Sequence, residues 1–270
     1  MKIKLKPFKK SNKTKINQDK KNINPKNTKS SNYLIWGKHS IDSSFKNRNR
    51  NIIKIYANSD SIDWVKNRLF DLNRQEIPVF KVDKEFLNKN SNNNPHQGII
   101  AEVEPLKWTS LENLIKNFKD SKIRLVLLDQ VTNPQNIGAI LRVSKAFNAA
   151  GVIITKRNVS PENGLMARAS SGAIENIPLI RVSNLARTIE FLKKSNFEIV
   201  GLEKNGTYQL DEIKDFPSIA LVLGSEDKGL RRLTKEKLSY SVKIPIAVET
   251  ESLNVSTAAA IALYVTCINT

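Results

Sequence analysis

The sequence predicts an α/β protein of two domains, the second built on a largely parallel sheet. Three observations carry this. The chain has 270 residues, which suits one large or two ordinary domains, each with its own core. Compact runs rich in Ile, Val and Leu recur along it, as in strands covered on both faces. Helical patterns separate most of those runs in the second half, the alternation expected of a parallel sheet.

Residues 1–32 are Lys- and Asn-rich with no apolar period, and Asp19 is their only acid. Such a segment buries too little to fold alone, so a disordered basic arm is expected. A mitochondrial transit peptide would be Arg-rich and amphipathic, and this segment has no Arg. Across 33–107, "YLIWGK", "IIKIYA", "IPVFKV" and "GIIAEVEP" read as strands. Between them "SIDWVKNRLFDL" sets Ile62, Val65, Leu69 and Leu72 at helical spacing behind a Ser61 or Asp63 cap. A small α/β domain is the result. The stretch 108–122 carries one short stripe of Leu111, Leu114, Ile115 and Phe118 and reads as a connector.

From 123 to 270 the alternation is regular. "IRLVLLD", "GVIIT", "FEIVGL", "SIALVLG" and "SVKIPI" are the expected strands. "NIGAILRVSKAFNAAG" places Ile137, Ile140, Leu141 and Phe147 on one side of a helix ending at Gly151, and "SNLARTIEFLKKS" sets Leu185, Ile189 and Leu192 behind Ser183 or Asn184. Ligands of such sheets bind beyond the carboxyl ends of the strands, so chemistry belongs in the loops leaving these runs.

Composition narrows the partners. Lys and Arg number 44 against 26 acids, a formal net charge of +18. That surplus attracts polyanions, nucleic acid above all. The competing origin is compositional drift, since Lys, Asn and Ile are abundant throughout. The longest apolar run, Ala258–Val265, is far short of the ~20 residues of a membrane span. No signal-peptide pattern is present, and one cysteine, Cys267, has no partner in the chain, which points to a reducing compartment, the cytoplasm. His39, His96 and Cys267 are the only soft ligands and lie far apart in sequence, so metal-free chemistry is expected.

Three loops hold unusual residue combinations. "DQVTNPQNIGAILR" passes through Asn133-Pro134 into a helix near Asn136. Gly138 and Arg142 share one helix face, the glycine leaving room for another backbone or a ligand. Taken alone, Asn136 is a helix cap and Arg142 a solvated charge. "LVLGSEDKGLRR" carries Gly224, Glu226 and Gly229 and lacks the spacing of a P-loop. "SLNVSTAAAIALY" opens an Ala-rich helix with Ser252, Asn254 and Ser256, more polar residues than one cap requires.

In this order and spacing, "NPQNIGAILR", "LVLGSEDKGL" and "IPIAVETESLNVSTAAAIALY" resemble the three motifs of the SpoU-type RNA ribose 2′-O-methyltransferases of the SPOUT superfamily. "RASSGAIENIPLIRVSNLARTIEFLKKSNFEIVGL" is similar to the family's middle section, and "YLIWGKHSID" with "PHQGIIAEVEPL" to its N-terminal substrate-binding domain. The likeness spans nearly everything after Asn32, and within the family it is greatest to bacterial enzymes that methylate a guanosine of 23S ribosomal RNA. Three positions depart from the usual motifs: Asp227 and Val248 stand where Gly is common, and Ile246 where Met is common.

The resemblance implies a C-terminal SPOUT domain whose end threads a trefoil knot, which no residue pattern shows, plus a small N-terminal α/β substrate-binding domain. It implies S-adenosylmethionine held by Leu223, Gly224, Ile244 and Leu253, RNA as substrate, and a homodimer. It makes Asn136, Arg142, Glu226, Ser252 and Asn254 the catalytic set, Arg142 activating the ribose hydroxyl with help from an RNA phosphate. An arginine with pKa above ~12 is a poor base, so a phosphate clamp that also stabilises the developing alkoxide fits its chemistry better. Methylation of transfer RNA, or a non-catalytic ribosome-assembly factor of the same fold, are the alternatives.

Overall fold

The computed structural model describes residues 32–107, 109–118, 122–156, 162–247 and 249–267. The basic arm, Asn32 apart, and Val248 lie outside the described residues.

The first part alternates β1 (Tyr33–Trp36), α1 (Lys38–Lys46), β2 (Ile52–Ala57), α2 (Ile62–Asp71), β3 (Val79–Lys81), α3 (Lys84–Asn90) and β4 (Ile99–Val103). The strands form one mixed sheet in the order β1-β4-β2-β3, antiparallel except for β2 with β3. Helix α1 buries Ile41 and Phe45, and α2 buries Val65 and Leu69, so the helical stripe read from the sequence faces the core. The expected cap of α2 is absent: Ser61 holds the N-cap position without a capping bond and donates instead to the Gln97 carbonyl at 3.3 Å.

Next comes α4 (Leu111–Lys116), whose Leu111 and Leu114 are buried against Ile123, Leu125 and Leu127. The connector thereby docks on the second sheet. That sheet contains β5 (Ile123–Asp129), β6 (Gly151–Thr155), β7 (Leu179–Val182), β8 (Glu198–Leu202), β9 (Tyr208–Gln209), β10 (Ser218–Gly224) and β11 (Tyr240–Lys243). The order is β7-β6-β5-β10-β8-β11-β9, and every pairing is parallel. All seven residues of β5 are buried, which is why it reads as an unbroken apolar run. The helices are α5 (Pro134–Ala146), α6 (Gly164–Ala169), α7 (Leu185–Lys194), α8 (Arg232–Lys235) and α9 (Val255–Cys267). No helix among the described residues is long and apolar enough to cross a membrane.

Three readings change, and the choice between two caps is settled. Strands β7 and β9 were not expected, since β7 buries only two of its residues and β9 is two residues long. Strand β11 stops at Lys243, short of Ile246. Helix α5 ends at Ala146, and Gly151 opens β6; the left-handed residue of that turn is Asn148, φ 52°. Asn184, and not Ser183, caps α7, accepting from the Arg187 amide at 3.1 Å.

Charge joins the two sheets. Arg50, from the loop before β2, is 1% exposed. Its guanidinium donates to Glu175 at 2.9 Å, to Glu162 at 3.3 Å and to the Glu104 carbonyl at 2.6 Å. Tyr33 donates to the same Glu162 oxygen at 2.7 Å, as does the Leu106 amide at 3.3 Å. Burial, seconded by the Glu162 carboxylate, holds the Tyr33 phenol well above its ordinary value, so it stays a donor. Burial alone would depress Arg50, but Tyr33, Glu175 and Glu162 raise it instead. Arg74 completes the arrangement by donating to the Ser44, Phe45, Asn47 and Arg50 carbonyls.

Removing one partner of a buried ion pair leaves an uncompensated charge, at about 3–5 kcal/mol. Arg50→Ala should destabilise the chain by about that amount, read by urea unfolding. The exposed Arg48→Ala control should change stability far less.

Candidate active site

The parallel sheet decides where the loops can meet. From β5 the chain steps outward to β6 and β7, then crosses back to β8 and β10 on the other side. The direction reverses between β5 and β10, and crevices at such a reversal, at the carboxyl ends, are where α/β sheets bind ligands. The loops leaving β5 and β10 are the first two of the three singled out in the sequence.

Asn133 caps α5, its side chain accepting from the Gln135 amide at 2.8 Å, and Pro134 follows at the first helical position. The cap is thus not Asn136, whose amide is left to reach across to the next loop. There Glu226 Oε1 accepts from Asn136 Nδ2 at 3.0 Å, from Asn254 Nδ2 at 2.6 Å and from the Val255 amide at 3.3 Å. Asn254 Nδ2 also lies 3.2 Å from Asn136 Oδ1. One carboxylate oxygen therefore ties together the starts of α5 and α9 and the loop after β10. Asn254 serves two ends at once, since its Oδ1 accepts from the Ser256 amide at 2.9 Å and caps α9.

Gly138 answers a question the sequence left open. A Cβ there would stand 2.5 Å from the Met166 carbonyl oxygen and 2.7 Å from Ala169 Cβ, so the glycine admits the backbone of α6 and not a ligand. Arg142 is on the exposed side of α5 and has no hydrogen-bond or ion-pair partner among the described residues. Ser252 is exposed and likewise stands apart from the Glu226 cluster. The structure brings three of the five predicted catalytic residues into contact and leaves Arg142 and Ser252 free.

Leu223, Gly224, Ile244 and Leu253 line one cleft of about 970 Å³, with Ile246 and Ser252 beside them. The loop after β10 forms one wall. It closes tightly, Gly229 N donating to the Ser225 carbonyl at 2.9 Å, and a Cβ on Gly224 would sit 2.2 Å from the Gly229 carbonyl carbon. Asp227, Glu203, Glu226 and Glu251 add carboxylates to the lining, which outnumber its two lysines, Lys204 and Lys235, the latter paired with Glu203. The volume suits a nucleoside-sized ligand. Apolar side chains suit an adenine ring, open backbone suits its edge, and the carboxylates suit a cationic sulfonium and ammonium, so the residues fit S-adenosylmethionine.

Asp129 escaped the sequence reading. It ends β5 fully buried and accepts from the Arg231 amide at 3.0 Å and from Arg231 Nε at 2.6 Å, pinning the return of the β10 loop. Its signal was an acid closing an otherwise apolar strand. Among the described residues no three His, Cys, Asp or Glu side chains gather as a metal centre would require.

Residues 123–264 match the family described as "SpoU rRNA Methylase family", and residues 34–109 match "RNA 2'-O ribose methyltransferase substrate binding". Fold, cluster and these matches define the class: a two-domain RNA methyltransferase with a substrate-binding domain ahead of the catalytic sheet. The chain belongs to the SpoU rRNA methylase family. It is 35% identical to the 23S rRNA (guanosine-2'-O-)-methyltransferase RlmB of Pasteurella multocida, over 85% of this chain and 95% of that protein. It is 38% identical to a Staphylococcus aureus protein assigned to the TrmH tRNA/rRNA methyltransferases, over 70% of this chain and 75% of that one. The SpoU methyltransferase AviRb of Streptomyces viridochromogenes, solved in complex with the cofactor AdoMet, shares the fold with a TM-score of 0.75 and 21% identity, over 88% of this chain and 90% of that one.

Glu226→Ala removes the acceptor shared by three donors. Because the cluster is solvent-accessible, the cost should be about 1 kcal/mol. Hydrogen exchange at the Val255 amide, measured by NMR, should accelerate about fivefold, with amides in β2 unchanged.

Proposed function

We propose that this protein transfers a methyl group from S-adenosylmethionine to the ribose 2′-hydroxyl of a guanosine in 23S ribosomal RNA, as a cytoplasmic homodimer with the knotted C-terminal path of its family. The observation that carries the reading is the Glu226 cluster beside the cleft after β10. It gathers three motif residues at the reversal of the sheet and leaves Arg142 without a partner among the described residues. The relatives above and the surplus of basic residues support RNA as the partner.

Bound in the cleft, S-adenosylmethionine supplies an electrophilic methyl on a sulfonium. Leu223, Ile244 and Leu253 would shield it from water, and the backbone at Gly224 would be open to its polar edge. As the 2′-oxygen gains the methyl, the carbon–sulfur bond of the sulfonium would break to leave a neutral thioether, and the hydroxyl proton would pass to solvent. Arg142, always charged and with a planar fork of donors, clamps the phosphate beside that ribose and stabilises the oxygen as negative charge develops. Asn136, Glu226 and Asn254 hold the loops in register, and Ser252 at the cleft rim faces the incoming ribose. Gln135, Arg142, Lys145 and Ala146 are exposed on α5, with Ala139 and Val143 half-buried beside them, and Tyr264 of α9 is 54% exposed and edge-on to Phe147. The exposed Tyr264 ring beside this face suits a second copy, whose presence would complete the site.

Arg142→Ala should lose about a hundredfold in single-turnover methyl transfer to 23S ribosomal RNA while calorimetry shows S-adenosylmethionine affinity unchanged. Arg142→Lys should recover little, because an ammonium lacks the fork. Wild-type rates in Arg142→Ala would remove it from the reacting centre. Mapping 2′-O-methylation with and without the protein tests the substrate: a mark gained only in transfer RNA, or none at all despite tight RNA binding, would replace the present reading.

Sedimentation tests the assembly. Tyr264→Glu should shift the protein from dimer to monomer.

A further inference from the structure

A second cleft, of about 950 Å³, opens where the linker 105–112 passes the carboxyl end of β7 and the start of α7. It lies on the same edge of the sheet as the active site, because all seven strands are parallel. The cofactor cleft stands over β10, β8 and the end of β11, on one side of β5; the second cleft stands beyond β6 and β7, on the other. The loop carrying Asn136 lies between them. From β5 to β7 is two strand spacings, about 10 Å.

The lining has the character of a nucleotide site. Lys156 follows β6 and Arg187 lies in the first turn of α7; both are exposed, and neither side chain has a hydrogen bond or ion pair among the described residues. Glu190, one turn from Arg187, is bonded to Lys237 and feels the Arg187 charge only as a lesser influence. Glu162 contributes no free negative charge, since Arg50, Tyr33 and the Leu106 amide occupy it. Glu112 is the remaining acid of the lining. Leu106, Ile180 and half-buried Phe191 provide apolar surface between the cations. Cations that hold phosphates, with an aromatic ring on which a base can stack, are the usual recognition of unpaired RNA. A duplex would present neither its base faces nor a segment narrow enough for such a cleft.

We propose that this cleft binds the single-stranded RNA segment flanking the methylated nucleotide, Lys156 and Arg187 holding its phosphates. The inference rests on the reading of the protein as an RNA methyltransferase, and it gives the substrate a direction. RNA reaches the Asn136 loop from the β6–β7 side, and the methyl donor reaches it from the β10 side. The cleft has walls from both halves of the chain, and Glu162, a partner of Arg50, is one of its lining residues.

The test compares two double variants of the full-length protein, each removing two positive charges from exposed positions. Lys156→Ala/Arg187→Ala empties the cleft of its free cations. Lys193→Ala/Lys194→Ala alters the last turn of the same helix, α7, at the opposite edge of the sheet. The probe is transcribed, unmethylated 23S ribosomal RNA, with affinity measured across a salt series. The cleft pair should reduce the log–log salt slope by about two, near one per lost phosphate contact, and raise the KM for RNA with kcat unchanged. The control pair should leave the slope as in wild type. Equal slopes for both double variants, or a cleft variant that binds RNA like wild type, would overturn the proposal; binding of an acidic peptide by the cleft with unchanged RNA affinity would do the same. Wild type that binds this RNA without methylating any RNA would instead refute the enzymatic reading, a result separate from either slope.

Discussion

A buried guanidinium fixes the relation between the two halves of this chain. Moving a charge out of water is costly unless it is paired and its donors are satisfied. Arg50 meets that requirement only with Glu162 and Glu175, which belong to the far half of the sequence. The substrate-binding sheet and the catalytic sheet are therefore not two beads on a string. Separating them would expose or orphan one arginine and two carboxylates together, and would release the Leu106 amide that starts the linker. A deeply buried ion pair adds little net stability compared with apolar packing, but it penalises every arrangement except the one that closes it. That is the property needed where one domain must present RNA to a site built by another.

Along the carboxyl edge of the seven-stranded sheet, the reversal of strand order divides the labour. One side has short loops and a tight turn, with Gly224 packed on Gly229, and forms a walled cleft. The other side has the linker and α7, and forms a cleft of similar size with cations at its rim. The Glu226 carboxylate stands at the division. Its loop lines the cofactor cleft, and it accepts from Asn136 on the loop after β5, so under the proposed function both substrates would be positioned against one hydrogen-bonded group. Preorganisation of this kind lowers the entropic part of the barrier before any bond changes.

The sequence made much of this visible, and the misses share physical causes. Helix faces were legible because Ile137, Ile140 and Leu141, or Leu185, Ile189 and Leu192, repeat at helical spacing and are in fact buried. Strands β5 and β10 were legible because burial on both faces demands unbroken apolar runs. Strands β7 and β9 were not, since edge positions in a sheet do not require such runs. The caps failed at Ser61 and Asn136 because Ser and Asn next to a helix start are chemically equivalent candidates, and tertiary partners chose between them: Gln97 for Ser61, Glu226 for Asn136. Motif residues were legible only as a set. No local rule distinguishes Glu226 from any surface glutamate, and nothing in the residues around Arg50 announces that it is buried. Both depend on contacts separated by 90 or more positions, Asn136 to Glu226 and Arg50 to Glu162.

Net charge is the clearest case of a true statement that lacks the decisive detail. A surplus of +18 says that polyanions are attracted, yet at physiological salt the field of an exposed charge fades over about 8 Å. What a ligand meets is the sign of its immediate surroundings. The cofactor cleft carries Glu203, Glu226, Asp227 and Glu251 against Lys204 and Lys235, the latter paired with Glu203, while the other cleft carries Lys156, Arg181 and Arg187 against Glu112 and Glu162. On the proposed assignment of the two clefts, a cationic cofactor would meet a net acidic lining and an anionic strand a net basic one, within a chain whose overall charge would favour only the strand. Drift toward lysine across the whole sequence changes the background on which this local contrast operates, and it leaves the contrast itself to the few side chains that the sheet holds at its carboxyl edge.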